Sequence, residues 1–486
     1  MSRDRVRRAH RAHQADQAAS GRPRAVLVVV ALFVGVVSVE LFSVLVALPD
    51  VASDLGATTV DLHWVISLFM IVLAVCFIGG GRLAARDGRR RLLPAGIALF
   101  GLGALGAGLA SSPAALIGSR TLQAAGAGVA LPLCVDVVRR TFASEEVGRA
   151  LRIVSGVALA GTVLAPFVGG LLTETVSWRW VFWIDVPVCA LAGWLARRDV
   201  GDAWDLRASR RGDLLRSVSF VSALVGVGLV AVAVDRGGEW GWRSGRTVLV
   251  AGVGLVSLVA FALVERRAPD PLLAPVLVRS RAFDVLVAAG AIGNAGFVSV
   301  MFLVTISLQD VRGLSPLLAG VVLLAAATGD AVASVLSDRL VRFPPGRVMA
   351  AALAVGGVGV AGVAVLPGWV LDGVALAVSG FGLGVVWAFA GVASGVVVPR
   401  EQPGEAFGVV VAVLVGVGGA ALVATAAVVA ELTDRGRTLA ASIDLALWGW
   451  AVVSVIGALV VGLAGRRAAS PAGTPALSAR LGHPRP

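Results

Sequence analysis

The feature that most constrains this chain is a succession of long apolar stretches separated by short polar ones. A helix needs about 20 apolar residues to cross the hydrocarbon core of a bilayer. Fourteen stretches meet that need: 25–48, 62–81, 92–110, 114–138, 150–172, 180–197, 213–234, 246–264, 283–308, 315–337, 347–367, 371–397, 406–430 and 443–464. Only 15% of the 486 residues are charged, too few to clothe several soluble domains. The 61 glycines suit helices that pack closely in lipid. The expectation is an all-α membrane protein.

The arginines orient the spans. All 42 basic residues are Arg, and the net charge is +12. With the N-terminus on the cytoplasmic side, seven arginines fall in the outer loops: Arg179, Arg236, Arg243, Arg246, Arg312, Arg435 and Arg437. Arg120 falls within a span, and every other Arg lies in a tail or a cytoplasmic loop. Cytoplasmic loops carry the excess of Lys and Arg. Both termini are therefore expected in the cytoplasm, and the positive charge serves inner-leaflet anchoring, not nucleic acid.

Polar segments divide the chain. Residues 1–24 form a basic tail, 25–198 a six-helix bundle, 199–282 linkers with an extra helix pair, 283–464 a second six-helix bundle, and 465–486 a second tail. Paired six-helix halves suit a transporter that rocks around a central site. No loop is long enough for an extramembrane catalytic domain, so an enzyme is not expected. Cys76, Cys134 and Cys189 lie inside apolar spans and read as packing residues. The four histidines form no metal-ligand cluster, and neither metal nor cofactor is expected.

Several strings carry a family resemblance. Gly81-Arg82-Leu83-Ala84-Ala85-Arg86-Asp87-Gly88-Arg89-Arg90-Arg91 resembles the G-x-L-A-D-R-x-G-R-R loop of the major facilitator superfamily, with Ala85 in place of the acid. Arg120-Thr121-Leu122-Gln123 resembles its R-x-x-Q-G motif. Gly161, Ala165, Pro166, Gly169 and Gly170 are similar to the G-P-x-x-G-G antiporter motif. Ser177-Trp178-Arg179-Trp180-Val181-Phe182-Trp183-Ile184-Asp185-Val186-Pro187 resembles the S-W-R-W-x-F-x-x-N-x-P stretch of drug exporters, with Asp185 where Asn is usual. Glu40…Ala47-Leu48-Pro49 and Trp64-Val65-Ile66-Ser67 resemble helices 1 and 2 of the fourteen-span drug:proton antiporters. So do Phe261…Glu265-Arg266-Arg267 and Leu308-Gln309…Gly313…Ser315-Pro316 around and after the extra helix pair. The resemblance is weakest after residue 400, where the polar residues usual in helix 13 are missing.

The resemblance implies two six-helix bundles of the major facilitator fold with a central extra pair. It also implies proton-coupled efflux of a hydrophobic drug, antibiotic or secondary metabolite from a bacterial plasma membrane. Expected partners are the small-molecule substrate, protons and membrane lipids, with the chain as a monomer. The alternative is a nutrient or metabolite transporter of the same fold.

Candidate residues follow from membrane energetics. An Arg in the apolar region costs roughly 2.5–3.5 kcal/mol, so Arg120 either faces the bundle interior or snorkels outward. Glu40 is the first candidate proton-coupling group, unless it lies solvated near the outer interface. Asp330 is either a second proton site, a contact for a cationic substrate, or the partner of an Arg. Gln123, Asn294 and Asp185 are candidate substrate contacts. Asp185 has a second reading as an anchor for the start of helix 6, and Asn294 as a bond to a neighbouring helix. Gly81, Arg86, Gly88, Arg89, Gly161, Pro166, Gly169 and Gly170 are expected to serve conformational change. Asp136 is expected to pair with Arg139 or Arg140.

Overall fold

The computed structural model describes residues 22–87, 89–199, part of 222–241, 243–267, 281–366, 368–397 and 403–468. Among these there is no strand. The helices are α1 (Arg22–Leu55), α2 (Thr59–Asp87), α3 (Arg89–Gly108), α4 (Pro113–Thr141), α5 (Ser144–Thr175), α6 (Trp180–Trp183), α7 (Asp185–Asp199) and α8 (Gly245–Arg267). The second half comprises α9 (Arg281–Ile306), a π-turn at Ser307–Val311, α10 (Pro316–Leu340), α11 (Pro345–Val365), α12 (Trp369–Val397), α13 (Pro403–Asp434) and α14 (Leu439–Ala468). Among the described residues eleven helices are long and apolar enough to cross a membrane, and shorter apolar stretches occur at Asp61–Phe77 and Gly245–Phe261. The expected span 213–234 lies partly outside the described residues.

Two local rules explain the helix starts. Ser112 and Ser315 each accept a bond from the backbone N–H three residues on, at Ala115 and Leu318, and Pro113 and Pro316 follow directly. A hydroxyl N-cap satisfies an orphan donor, and proline at the first helical position loses nothing. Helix α1 runs past its expected end, because Pro49 sits inside it and the chain stays helical to Leu55. The expected sixth span is divided at Ile184 into α6 and α7.

Helices α1 to α7 pack on one another as one bundle, and α9 to α14 as a second. Helix α8 packs its Gly254 against Val230. The bundles meet along two helix pairs, α5 with α10 and α2 with α13. Small residues make both seams. A side chain at Gly419 would meet the Ser67 carbonyl, and one at Gly416 would meet Ala74. Helix α13 thus presents glycine to α2, which lets the two backbones approach closely. Elsewhere the surface is apolar: Leu249 and Val256 on α8 and Leu459 on α14 are more than half exposed. Such a surface suits lipid, where helices keep their backbone bonds internal.

One end of the molecule gathers the loops after α1, α3 and α5. Arg179 pairs with Asp54 at 2.5 Å and donates to the Ala110 carbonyl at 3.3 Å, and the Trp178 indole donates to Asp54 at 3.1 Å. The Ser-Trp-Arg-Trp string is thus a clamp that ties three loops. In the second bundle Arg312 pairs with Asp372 across the loops before α10 and α12.

Candidate functional site

Arg120 is fully buried inside the first bundle, and its surroundings are built from four helices. From α4 itself, Gln123 accepts a bond from the guanidinium at 3.0 Å. From α1, Glu40 accepts from the same nitrogen as an ion pair. From α2, the Val65 carbonyl accepts from Nε at 3.3 Å, and the Phe69 ring lies 4.0 Å from the guanidinium carbon. From α6, the Phe182 ring lies 5.7 Å away. Asp185, three residues beyond Phe182 at the head of α7, is 1% exposed and within electrostatic range of both Arg120 and Glu40. The arrangement holds three ionisable groups out of solvent, which is tolerated only when charges are paired and bonded.

The pairing is incomplete. Glu40 Oε2, Arg120 Nη2, Gln123 Nε2 and Asp185 Oδ2 are buried and have no protein hydrogen-bond partner among the described residues. Buried polar atoms are satisfied in the large majority of cases, so four in one cluster single it out as a candidate site.

Beside this cluster lies a cavity of about 170 Å³ between the two bundles. Leu41, Phe42 and Leu45 of α1 and Ile66, Met70 and Leu73 of α2 line one side. Phe297 and Val298 of α9, Leu383 and Trp387 of α12 and Val415 of α13 line the other. Its polar groups are Thr162, Asn294 and Asp330. Asn294 is committed to α13, donating to the Leu414 carbonyl at 2.7 Å. Asp330 sits opposite Gly384, where an added side chain would strike the carboxylate, and it has no hydrogen bond or ion pair among the described residues. Glu40 itself does not line the cavity, although the residues that follow it, Leu41 and Phe42, do.

The bundles are bridged at the end that carries the Arg179 clamp. Gln309, in the π-turn after α9, donates to the Val46 carbonyl of α1 at 2.9 Å. Glu174 at the end of α5 accepts from the Leu317 backbone N–H at 2.9 Å, capping the start of α10. Side chains added at Gly170 or Gly320 would strike the backbones at Pro316 and Pro166 respectively. The opposite face of α5 serves the first bundle: Gly161 lies against Gly35 and Ser38, Gly169 against Ser43, and the Ser43 hydroxyl donates to the Ala165 carbonyl at 2.7 Å.

The expected residues thus separate into groups. Glu40, Arg120, Gln123 and Asp185 form the buried cluster. Asp330 and Asn294 line the cavity. Gly161, Gly169, Pro166 and Gly170 form the two seams of α5. The side chains of Gly81, Arg86 and Arg89, and Gly88 altogether, lie outside the described residues. Asp136 pairs with Arg140 at 3.0 Å, as its spacing suggests. Gln309, Glu174, Asp54 and the aromatic walls Phe69 and Phe182 had no assigned role in the sequence reading. Gln309 and Phe182 stood within the strings that carry the resemblance, without a role of their own there.

Two helix bundles joined along paired seams, with a cavity between them, define a multi-pass membrane protein of the transporter kind. The model of the Major Facilitator Superfamily matches residues 28–414, and the chain belongs to that superfamily. It is 31% identical over 447 residues to the puromycin resistance protein pur8 of Streptomyces alboniger, covering 86% of this chain and 85% of that one. It is 33% identical over 330 residues to the tetracenomycin C resistance and export protein of Streptomyces glaucescens, covering 67% of this chain and 60% of that one. The cephamycin export protein CmcT of Amycolatopsis lactamdurans is 37% identical over 278 residues, 57% of each chain. Among solved structures, the peptide transporter POT matches with a TM-score of 0.66 at 17% identity, over 92% of this chain and 94% of that one. The nucleoside transporter NupG matches with a TM-score of 0.63 at 14% identity, over 90% of this chain and 99% of that one.

Proposed function

We propose that this protein exports a hydrophobic, cationic small molecule across a bacterial plasma membrane in exchange for protons. The observation that carries the reading is the cavity between the bundles. Its walls are apolar and aromatic, and its one carboxylate, Asp330, has no partner among the described residues. An unpaired carboxylate in an apolar pocket favours a ligand that brings a positive charge and buries apolar surface. Three relatives whose printed names concern antibiotic resistance or export support the direction and the class of substrate.

The volume fits a transport cycle. About 170 Å³ is below the roughly 300–1,000 Å³ of sites that hold drug-sized ligands. The bundles must separate for a substrate of that size to enter. The bridges at Gln309–Val46 and Glu174–Leu317 close one end and are the contacts that such a rocking motion would break. The arginine distribution assigns that end to the outside and both termini to the cytoplasm. Glu40, with Arg120, is the proton-coupling group, and Asp330 and Asn294 face the substrate.

The test uses everted membrane vesicles from a host lacking its own pumps, with labelled puromycin and ethidium as probes. An imposed gradient, acid inside, is expected to drive accumulation of at least one probe, and a protonophore to abolish it. Accumulation that ignores the gradient would overturn the coupling. Accumulation only in vesicles of the opposite orientation would favour the importer reading.

A further inference from the structure

The cluster around Arg120 contains one more acid than it has cations. Glu40 and Asp185 are both buried to within 1% of full exclusion, and Arg120 is the cation that faces them. Among the described residues of the surrounding elements no second Arg is buried at this depth. Helix α5 has no titratable residue between Arg152 and Glu174, and α3 has none between Arg91 and Gly108. Helix α2 contributes Cys76 and the buried His63, which makes its own interaction; α4 adds Cys134, and α7 adds Cys189, one turn beyond Asp185. With both carboxylates ionised the cluster would carry one uncompensated negative charge in a sealed site, which is strongly disfavoured. One added proton makes it neutral.

We propose that Glu40 and Asp185 share a single proton across Arg120, so that the proton-carrying unit of this chain is a two-carboxylate cluster and not Glu40 alone. The free atoms fit that role: Glu40 Oε2 and Asp185 Oδ2 both lack a protein hydrogen-bond partner among the described residues. Phe182, whose ring centroid lies 5.7 Å from the Arg120 guanidinium carbon, stands three residues before Asp185, which is within electrostatic range of both Arg120 and Glu40. In the loaded state one carboxyl is a neutral O–H and the other is paired with Arg120. On release the O–H bond breaks, the proton passes to water on the side toward which the bundles open, and the cluster is left with one negative charge.

The proposal deepens the coupling part of the export reading and rests on it for its consequence in transport, but its test needs no transported compound. The purified full chain in detergent is titrated by infrared difference spectroscopy, reading the protonated-carboxyl band and its shift in deuterated water. Glu40→Gln, Asp185→Asn and the double variant are compared with the wild type, so that Asp330 and other acids cancel. Each single variant is expected to remove one carboxyl's worth of band, and the double variant no more than either single. A band unchanged in Asp185→Asn would give the proton to Glu40 alone, and one unchanged in Glu40→Gln would give it to Asp185 alone. A double variant losing twice as much would mean two independent protons, and no loss in any variant would mean none. Each of these results overturns the shared site. Should Asp185→Asn fail to insert, Asp185→Ser makes the same charge change. Failure of vesicle transport with this pattern intact would instead overturn the export reading.

Discussion

Arg120 and Glu40 form an ion pair with no exposed side-chain surface on either partner. Removing one member of a buried pair leaves an uncompensated charge, at a cost of about 3–5 kcal/mol. Arg120→Leu is therefore expected to lower thermal stability in detergent sharply. Combining it with Glu40→Leu should restore part of the loss, because the remaining acid, Asp185, is neutralised by a proton. A double variant as unstable as the sum of the two singles would contradict the pairing.

Glu40→Gln is expected to abolish proton-driven efflux while leaving membrane insertion intact. Gln keeps the size and an acceptor for Arg120 but does not bind and release a proton. Vesicle transport and the amount of inserted protein, measured side by side, check this. Full efflux by the variant would remove Glu40 from the mechanism.

Asp330→Asn is expected to weaken transport of cationic compounds and spare neutral ones. A hydrogen bond to a charged group contributes about 1.5–3 kcal/mol, which is roughly a ten- to hundredfold change in affinity. Competition between a cationic and an uncharged substrate gives the ratio directly. Equal losses for both would make Asp330 a general structural or proton site.

Gly170→Leu is expected to force α5 and α10 apart, because even a methyl there would strike the Pro316 and Leu317 backbone. Pulsed electron resonance between labels near the ends of α5 and α10 should show a longer mean distance. Transport should fall below the wild type while the cluster around Arg120 keeps its stability. An unchanged distance would mean that the seam adapts and does not set closure.

Arg179→Ala is expected to change stability by no more than about 1 kcal/mol, since its ion pair with Asp54 is partly exposed. Trp178, buried and bonded to the same carboxylate, holds the clamp without it. Trp178→Ala should cost more, and paired thermal melts of the two variants check the order.

Much of this was legible in the chain. Long apolar runs and alternating arginines announce membrane helices, because lipid leaves no other way to satisfy the backbone. The cost of charge in an apolar run singled out Arg120 and Glu40 but left open an outward-snorkelling Arg120 and a solvated Glu40; the structure buries both. Their partnership was not legible, since residues eighty apart in sequence meet only once α1 and α4 are packed. Asp185 was harder still. At the head of a span it reads as an anchor or a substrate contact, and its nearness to Arg120 and Glu40 emerges only once the helices are packed. Asp330 was visible as an acid in a span, but its place in the cavity depends on Gly384 opposite. Gln309 and Glu174 bridge two bundles, and no local pattern marks such a partner.

The double-sided α5 limits how such a pump can acquire new substrates. Its Gly161, Ala165 and Gly169 edge is committed to α1, and its Pro166 and Gly170 edge to α10. Among the described residues, Thr162 is the one from α5 that lines the cavity. Variation selected by a new toxic compound is thus confined to walls with room to change, such as Phe297, Val298 and Trp387. In the export reading, helix α5 is the fixed axle, and any change of specificity falls on the residues around it.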